Sequence, residues 1–238
     1  MLKITYIVTV YNEVKTVEKA IKDVVSINYP NKEIIVIDNC SKDGSAEIIK
    51  KLKRKKLKRK KLKIILRKKN IGYGNSVITG IKKATGDYIF IQYADLEYDH
   101  KRSIYMMHYA NKKKLDVVLG SRYKNNKKSV LGLLIKRPSY LASLITTYLI
   151  NTFYGHNFTD IIGGKLYKRE SIKKIRSNSR KQGFDFEFMS IICKKKLKIG
   201  EVFIKYKPRK NFSEKKIKFY HMINAFYQIF RVKFFKYY

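Results

Sequence analysis

Short apolar runs alternate with amphipathic stretches along the first half of the chain. Residues 4–10 form the first run, apolar side chains then recur at helical spacing between Val14 and Val25, and residues 33–37 form a second run. Runs of this length that are rich in β-branched residues are typical of buried strands, whereas the wider spacing indicates a helix. Strand, helix and strand joined by short links predict parallel strands with a right-handed crossover.

The alternation continues to about residue 122 and then becomes less regular. Further strands are predicted at residues 63–66, from Tyr88 onward, at 116–119 and at 201–206. Further helices are predicted from Ala46, through Val77–Ala84 and Ile104–Tyr109, and over residues 131–153, 183–194 and 216–238. The pattern predicts an α/β fold with a mostly parallel sheet flanked by helices.

The run that begins at Tyr88 breaks into carboxylates at Asp95 and Glu97. Side chains two residues apart on an extended chain share a face, so these two carboxylates are expected to point together beyond the strand end. Ligands of open α/β sheets bind at that end, and paired carboxylates suit Mg²⁺ or Mn²⁺ bridging to a diphosphate. A solvated acidic turn before the next helix explains the same residues equally well.

The composition describes one large domain with a strong positive charge. The chain has 238 residues, 45 % of them hydrophobic, and a formal net charge of +37. Eleven basic residues fall between Lys50 and Lys63, yet a large excess remains elsewhere. Such a charge attracts nucleic acid, anionic lipid or nucleotides. Because the sequence contains no recognisable DNA-binding or RNA-binding motif, we expect no nucleic-acid partner.

Other features indicate a cytoplasmic protein that associates with a membrane surface. Cys40 and Cys193 lack metal-ligand spacing, the first residues lead directly into a strand, and no apolar run approaches about 20 residues. The helix predicted at 216–238 is basic and amphipathic. Such a helix docks on a membrane or packs against its own domain, and the sequence leaves both open.

Eight short segments, in order over residues 4–218, resemble the family 2 inverting glycosyltransferases of the GT-A fold. Within that family the chain is most similar to the dolichyl- or polyprenyl-phosphate mannosyl- and glucosyltransferases. The segments are residues 8–13 (VTVYNE), 37–44 (IDNCSKDG), 70–74 (NIGYG), 94–99 (ADLEYD), 120–122 (GSR), 159–160 (TD), 183–187 (GFDFE), and 208–209 (PR) followed by 215–217 (KKI).

The resemblance implies a role for each matching position. Tyr11, Glu13 and Asp38 would line the base and ribose of the nucleotide-sugar, with Gly72 and Asp95 near its phosphates. Asp95 and Glu97 would hold Mg²⁺ or Mn²⁺. The residues implied to receive an acceptor phosphate are Arg122, Arg209, Lys215 and Lys216. Asp95 and Arg122 are implied to be catalytic. The family usually has aspartate where this chain has Tyr93, which leaves open a pseudoenzyme that keeps only the fold.

The implied enzyme moves mannose or glucose from GDP-mannose or UDP-glucose to a polyprenyl or dolichyl phosphate at the cytoplasmic membrane face. The implied organisation is a glycosyltransferase domain over residues 1–215, with a nucleotide-binding half to about 122 and an acceptor half from 123, then the helix at 216–238. The alternative is a family 2 enzyme that acts on a saccharide hydroxyl in a surface polysaccharide. That chemistry needs a general base, and no Glu-Asp pair is evident late in the chain. Whether a separate membrane subunit anchors the chain is open.

Overall fold

The structure is a computed structural model that describes residues 1–54, 62–124, 139–179, 183–208 and 221–235. Within these residues, seven strands form a single sheet. The strands are β1 (Ile4–Val10), β2 (Lys32–Asp38), β3 (Leu62–Leu66), β4 (Tyr88–Tyr93), β5 (Val117–Ser121), β6 (Gly164–Lys168) and β7 (Ile199–Phe203). The helices are α1 (Val17–Ser26), α2 (Ser45–Arg54), α3 (Tyr73–Lys83), α4 (Ser103–Lys112), α5 (Ser139–Tyr154), α6 (Arg169–Ile172), α7 (Phe184–Lys194) and α8 (His221–Phe234).

The strand order across the sheet is β3-β2-β1-β4-β6-β5-β7. β1 runs parallel to both β2 and β4, β2 to β3, and β5 to β7. β6 lies antiparallel between β4 and β5. The predicted α/β architecture with a mostly parallel sheet is therefore confirmed.

Two layers of helices cover the sheet, because its central strands are apolar on both faces. Tyr6, Val8 and Phe90 face a layer made by α1, α2 and α4. Ile7 and Ile89 face the opposite layer, made by α3, α5, α7 and α8. The near-continuous burial of β1, β2 and β4 is typical of a parallel sheet between helices.

β6 is the strand that the sequence pattern did not predict. It is short, it begins at the second residue of the Gly163-Gly164 pair, and two of its five residues are lysines. Residues 131–138, which were predicted to begin a helix, lie outside the described residues, and α5 begins at Ser139. α8 accounts for most of the helix predicted at 216–238.

Within the described ranges, every helix is either too short or too polar to span a bilayer.

Candidate functional site

The strand order reverses between β1 and β4, because the chain adds β2 and β3 on one side of β1 and the remaining strands on the other. Ligands of open α/β sheets bind in the crevice at the carboxyl ends of the strands at such a point. The loops after β1, β2 and β4 each hold a residue with positive φ: Asn12 at 51°, Cys40 at 65° and Leu96 at 61°. This conformation is unfavourable for non-glycine residues, and strained residues cluster at functional sites.

The loops after β1 and β2 are joined by hydrogen bonds. The Asn12 N–H donates to the Ser41 hydroxyl (2.9 Å), and the Glu13 N–H donates to the Ser45 hydroxyl (2.9 Å). The buried Asp38 carboxylate accepts hydrogen bonds from the Ser41 hydroxyl (2.5 Å) and N–H (3.1 Å). The structure thus brings Tyr11, Glu13 and Asp38 to one edge of the sheet, with Asp38 fixing the turn that follows it.

The two glycines before and within α3 serve different purposes. Gly72 has a φ of 91° at the start of the helix and donates its N–H to the Asn70 side chain (2.9 Å). Gly74 lies inside the helix, where an added Cβ would stand 2.6 Å from the Ser179 carbonyl oxygen and 2.7 Å from Phe184 Cβ. Gly74 therefore leaves no room for a phosphate, since protein atoms already fill that space.

The carboxylates after β4 lie in a turn. The strand ends at Tyr93, Leu96 has its positive φ, and the Glu97 N–H donates to Asp95 Oδ1 (3.1 Å). The argument that Asp95 and Glu97 share a face of an extended chain is therefore wrong. Glu97 is 9 % exposed, and its Oε2 accepts a hydrogen bond from the Tyr206 hydroxyl (3.0 Å). Asp95 is more accessible than Glu97.

Two carboxylates suit Mg²⁺ or Mn²⁺ only when substrate oxygens and water complete the coordination, because Mg²⁺ takes six oxygen ligands. Among the described residues, no group of three or more His, Cys, Asp or Glu side chains forms a metal site. Asp95 and Glu97, with a substrate diphosphate, fit such an ion in their chemistry. The side chains that the structure describes offer, on their own, an incomplete set of ligands.

Tyr93 stands beside this turn and stays neutral. The Tyr73 hydroxyl donates to the Tyr93 hydroxyl (3.0 Å), and the two rings stack with their centroids 5.8 Å apart. Burial, reinforced by the nearby Asp185 carboxylate, raises the pKa of Tyr93 well above its usual value. A neutral phenol is a poor ligand for a hard divalent cation, so any metal at this site relies on Asp95 and Glu97.

Aromatic rings connect this turn to the second half of the chain. Tyr98 packs against Tyr93 (5.6 Å between centroids) and Tyr206 (5.1 Å), and it forms an isolated antiparallel bridge with Tyr206. The Tyr140 hydroxyl donates to the Tyr206 hydroxyl (3.0 Å), which in turn donates to Glu97. The loop that carries the predicted metal ligands is thus tied to the segment after β7.

Arg122 lies within this aromatic cluster as half of a buried ion pair. Its Nε and Nη2 donate to the two carboxylate oxygens of Asp160 (2.6 and 2.9 Å), and Nη2 also donates to the Ser143 hydroxyl (2.7 Å). The guanidinium lies 5.4 Å from the ring centroids of both Tyr140 and Tyr206. Burial acts to raise the pKa of Asp160, but Arg122 outweighs it and holds that pKa below its usual value.

This geometry limits what Arg122 can offer to an acceptor phosphate, because Asp160 already neutralises its charge. The other cations predicted for the acceptor, Arg209, Lys215 and Lys216, lie outside the described residues. Their predicted role remains a prediction.

A second buried ion pair escaped the sequence reasoning. Lys165 on β6 is 1 % exposed and pairs with Asp185 in the first turn of α7 (3.2 Å). Lys165 pairs with Ile91 of β4 in the sheet, so Asp185 lies near the carboxyl half of β4. The sequence around Lys165 did not indicate that this lysine is buried, because its burial depends on β6, a strand that the pattern did not predict.

Glu187, two residues after Asp185, has a structural role. Its carboxylate accepts hydrogen bonds from the Asn178 N–H (3.1 Å) and the Ser179 N–H (2.7 Å), and it forms an ion pair with Arg231 of α8. The sequence left Glu187 out of the site, and its contacts account for it as an anchor between α7, α8 and the preceding loop.

The sheet thus has a crevice at its switch point, with carboxylates in the turn after the central strand β4. The profile of Glycosyl transferase family 2 matches residues 5–176, and the chain belongs to this family. The polyprenyl-phosphate subtype that the motifs suggested is not established by this match.

Curated relatives and solved structures agree with this assignment. The chain is 32 % identical over 221 residues to a poly-beta-1,6-N-acetyl-D-glucosamine synthase of Staphylococcus epidermidis, covering 87 % of this chain and 48 % of the relative. The chain thus spans about half the length of that relative.

Among solved structures, a mannosyltransferase of Pyrobaculum calidifontis in complex with GDP-Man and Mn²⁺ has a TM-score of 0.63 at 15 % identity, covering 89 % of this chain and 59 % of that one. Glucosyl-3-phosphoglycerate synthase of Mycobacterium tuberculosis, in complex with Mn²⁺, UDP and phosphoglyceric acid, has a TM-score of 0.68 at 12 % identity, covering 97 % and 77 %. These likenesses establish the GT-A fold that the sequence predicted.

Proposed function

We propose that the chain transfers a hexose, mannose or glucose, from a nucleotide-diphosphate sugar. The donor would lie in the crevice between the loops after β1 and β4, with Tyr11, Glu13 and Asp38 around the base and ribose and the backbone at Gly72 near the phosphates. The positive φ values around this crevice support the assignment. So do the structural neighbours, whose ligands include GDP-Man and UDP.

Asp95 and Glu97 would hold Mg²⁺ or Mn²⁺ against the donor diphosphate. The ion, when bound, would stabilise the negative charge that develops on the leaving nucleotide diphosphate. Asp95 would contribute an accessible carboxylate. Glu97 would contribute a second carboxylate, one oxygen of which accepts a hydrogen bond from the Tyr206 hydroxyl (3.0 Å).

The acceptor is proposed to be a polyprenyl or dolichyl phosphate. The observation that carries this choice is that Asp160, the carboxylate beside Arg122, is completely buried in an ion pair with that residue. Arg122 holds the pKa of Asp160 below its usual value, so this carboxylate is a weak proton acceptor. A phosphate monoester is already ionised at neutral pH, with a second pKa of about 6, so its oxygen can attack without a protein base.

In this reaction the phosphate oxygen forms a bond to the anomeric carbon as the bond to the donor diphosphate breaks. The bonding electrons leave with the diphosphate, and attack from the opposite face inverts the anomeric configuration. Arg209, Lys215 and Lys216 would attract the acceptor phosphate, whereas Arg122, whose charge Asp160 neutralises, would contribute hydrogen bonding to it rather than net charge. With a net charge of +37, the protein is proposed to work at the cytoplasmic face of a membrane as a peripheral protein.

A second candidate, transfer to a saccharide hydroxyl, is favoured by the name of the curated relative, a polysaccharide synthase. That reaction needs a general base. Asp185 is suitably located near Tyr93, and its side chain is 16 % exposed, but it would have to act beside the Lys165 ammonium.

The deciding assay supplies radiolabelled GDP-mannose, UDP-glucose or UDP-N-acetylglucosamine with Mn²⁺ and either a short polyprenyl phosphate or an oligosaccharide, followed by organic extraction. We expect label in the organic phase, and Asp95→Asn should abolish both transfer and Mn²⁺-dependent nucleotide binding. Asp99→Asn, in the same loop, is the matched control. Label that enters only the water-soluble saccharide would contradict the lipid-phosphate proposal.

The pair of Asp185 and Lys165 separates the two candidates further. Asp185→Asn combined with Lys165→Met removes the carboxylate without leaving a buried charge unpaired. Transfer to a phosphate should survive this change, whereas transfer to a hydroxyl that uses Asp185 as its base should fall by about 10²-fold or more.

A further inference from the structure

Helices α5 and α8 leave an aromatic surface without a partner in the described structure. The two helices contact each other where Phe153 packs edge-to-face against Phe230 (5.1 Å between centroids) and Phe234 (5.8 Å). Lys233 donates to the Phe153 carbonyl oxygen across the same junction. α5 and α8 are therefore held together at this junction.

α8 is apolar on two faces. One face, which includes Ala225, Ile229 and Val232, is fully buried against the rest of the domain. The other face carries large apolar side chains at spacings of four, three and four residues. These exposed residues are Ile223 (69 %), Tyr227 (61 %), Phe230 (44 %) and Phe234 (65 %). From the sequence, membrane docking and packing against the domain were alternatives for this helix. In the structure, one apolar face of α8 packs against the domain and a different apolar face is exposed.

α5 adds Leu141 and Tyr148, which are seven residues apart and therefore lie on one side of the helix. Tyr148 is 69 % exposed. A soluble surface seldom groups so many large apolar side chains, and such patches usually mark a binding partner or a membrane.

The charges around this surface select an anionic partner. α5 contains no charged residue, and α8 contains no acidic one but carries Lys233 and Arg231 in its last turns, Arg231 being paired with Glu187 of α7. Lys194 of α7 joins them, because its ammonium group donates to the carbonyl oxygens of Val232 (2.6 Å) and Phe235 (2.9 Å). Aromatic side chains bordered by lysine and arginine are typical of segments that lie in the interface of an anionic bilayer.

We propose that the face formed by Leu141, Tyr148, Ile223, Tyr227, Phe230 and Phe234 inserts into the headgroup region of an anionic membrane. This docking face deepens the proposed membrane location and rests on the proposed function. α5 also supplies Tyr140 and Ser143, which contact Tyr206 and Arg122. Docking through α5 would therefore bring the proposed acceptor site to the level of lipid headgroups.

The absence of tryptophan from the chain provides a direct test. Tyr148→Trp and Tyr227→Trp each place one fluorophore on the docking face. Tyr105→Trp is the matched control, because Tyr105 is also exposed but lies on α4, in the helix layer on the opposite face of the sheet. On vesicles of phosphatidylcholine and phosphatidylglycerol, the first two variants should show blue-shifted emission and quenching by brominated lipid, and the control should show neither.

Two outcomes overturn the proposal. One is an unchanged emission at positions 148 and 227, or an equal change at 105. The other is a shift that grows with protein concentration in the absence of vesicles, since the face would then bind a second copy of the chain. Tyr227→Gln combined with Phe234→Gln should weaken binding to these vesicles at least about tenfold, whereas Tyr105→Gln should leave it nearly unchanged.

Failure of docking and failure of the proposed function give different results. Transfer to a short, water-soluble prenyl phosphate without vesicles reports on the function alone, and the Tyr227→Gln and Phe234→Gln double variant should retain it. Tryptophan emission on vesicles without donor or acceptor reports on docking alone. A protein that docks without transferring sugar refutes the function, and one that transfers sugar without docking refutes the docking face.

Discussion

Replacing Arg122 by alanine should destabilise the fold before it reveals anything about the acceptor. The substitution removes the guanidinium that holds both carboxylate oxygens of Asp160 (2.6 and 2.9 Å) and the Ser143 hydroxyl (2.7 Å). Asp160 is completely buried, so its charge would lose its partner in a place that water does not reach.

Breaking a buried ion pair by removing one partner costs about 3–5 kcal/mol. A domain of ordinary stability has only about 5–15 kcal/mol in total. Asp160 would still accept hydrogen bonds from the backbone N–H groups of residue 122 (3.1 Å) and of Ile162 (3.0 Å), which places the expected loss near the lower end of that range, at about 3 kcal/mol.

Urea denaturation followed by far-UV circular dichroism measures this loss. The matched control is Arg122→Met combined with Asp160→Asn, which removes both charges and should recover most of the stability. A loss below about 1 kcal/mol in Arg122→Ala, the level of an ordinary surface pair, would refute the reasoning. The acceptor role of Arg122 is then tested in the double variant, where reduced transfer to lipid phosphate with unchanged nucleotide affinity supports it.

Three further predictions concern single positions. Tyr93→Asp should lower the Mn²⁺ concentration needed for half-maximal transfer, and an unchanged Mn²⁺ dependence would put this position outside the metal site. Gly74→Ala should lower the free energy of unfolding by about 1–3 kcal/mol in urea denaturation, because the added Cβ would stand 2.6 Å from the carbonyl oxygen of residue 179. The control is Gly155→Ala, where the space is open, so that only the strain of the positive φ is expected. Burial acts to raise the pKa of Glu33, but hydrogen bonds from Thr5 and Thr85 lower it to about 2. The ionised Glu33 carboxylate therefore contributes about 3 kcal/mol to the stability of the fold. This contribution is complete above about pH 4.5 and is lost as the pH falls toward 2. Glu33→Gln should flatten the pH dependence of unfolding in that window, and an unaltered dependence would show that Glu33 does not carry it.

The parallel part of the sheet was predictable because its residues are buried on both faces. β1 was predicted with its observed bounds, and β2, β3 and β4 within about one residue at each end. β6 was missed because its burial depends on its neighbours. Lys165 is enclosed only because β4 and β5 flank it and Asp185 faces it, and no local pattern reports such an arrangement.

The candidate site was predictable as a set of positions but not as a set of contacts. The motifs named Asp95, Glu97 and Arg122, and the fold brings their loops to the carboxyl edge of the sheet. The hydrogen bond from Tyr206 to Glu97 joins residues 109 apart, and the pair of Arg122 and Asp160 joins residues 38 apart. Such contacts depend on the tertiary arrangement, so the sequence could name these positions but could not show that several of their side chains are already engaged.

The antiparallel position of β6 also sets an order for synthesis on the ribosome. β1 to β4 pair only with one another and with β6 in the described sheet, so most of that half can assemble as it emerges. β5 pairs with β6 and β7, both of which are translated later. The nascent β5 must therefore wait for about 45 residues of further chain before it can join the sheet, a non-local closure that is slow. Pulse-labelling hydrogen exchange during refolding should show amides of β5 protected later than those of β1 and β2, and simultaneous protection would contradict this order.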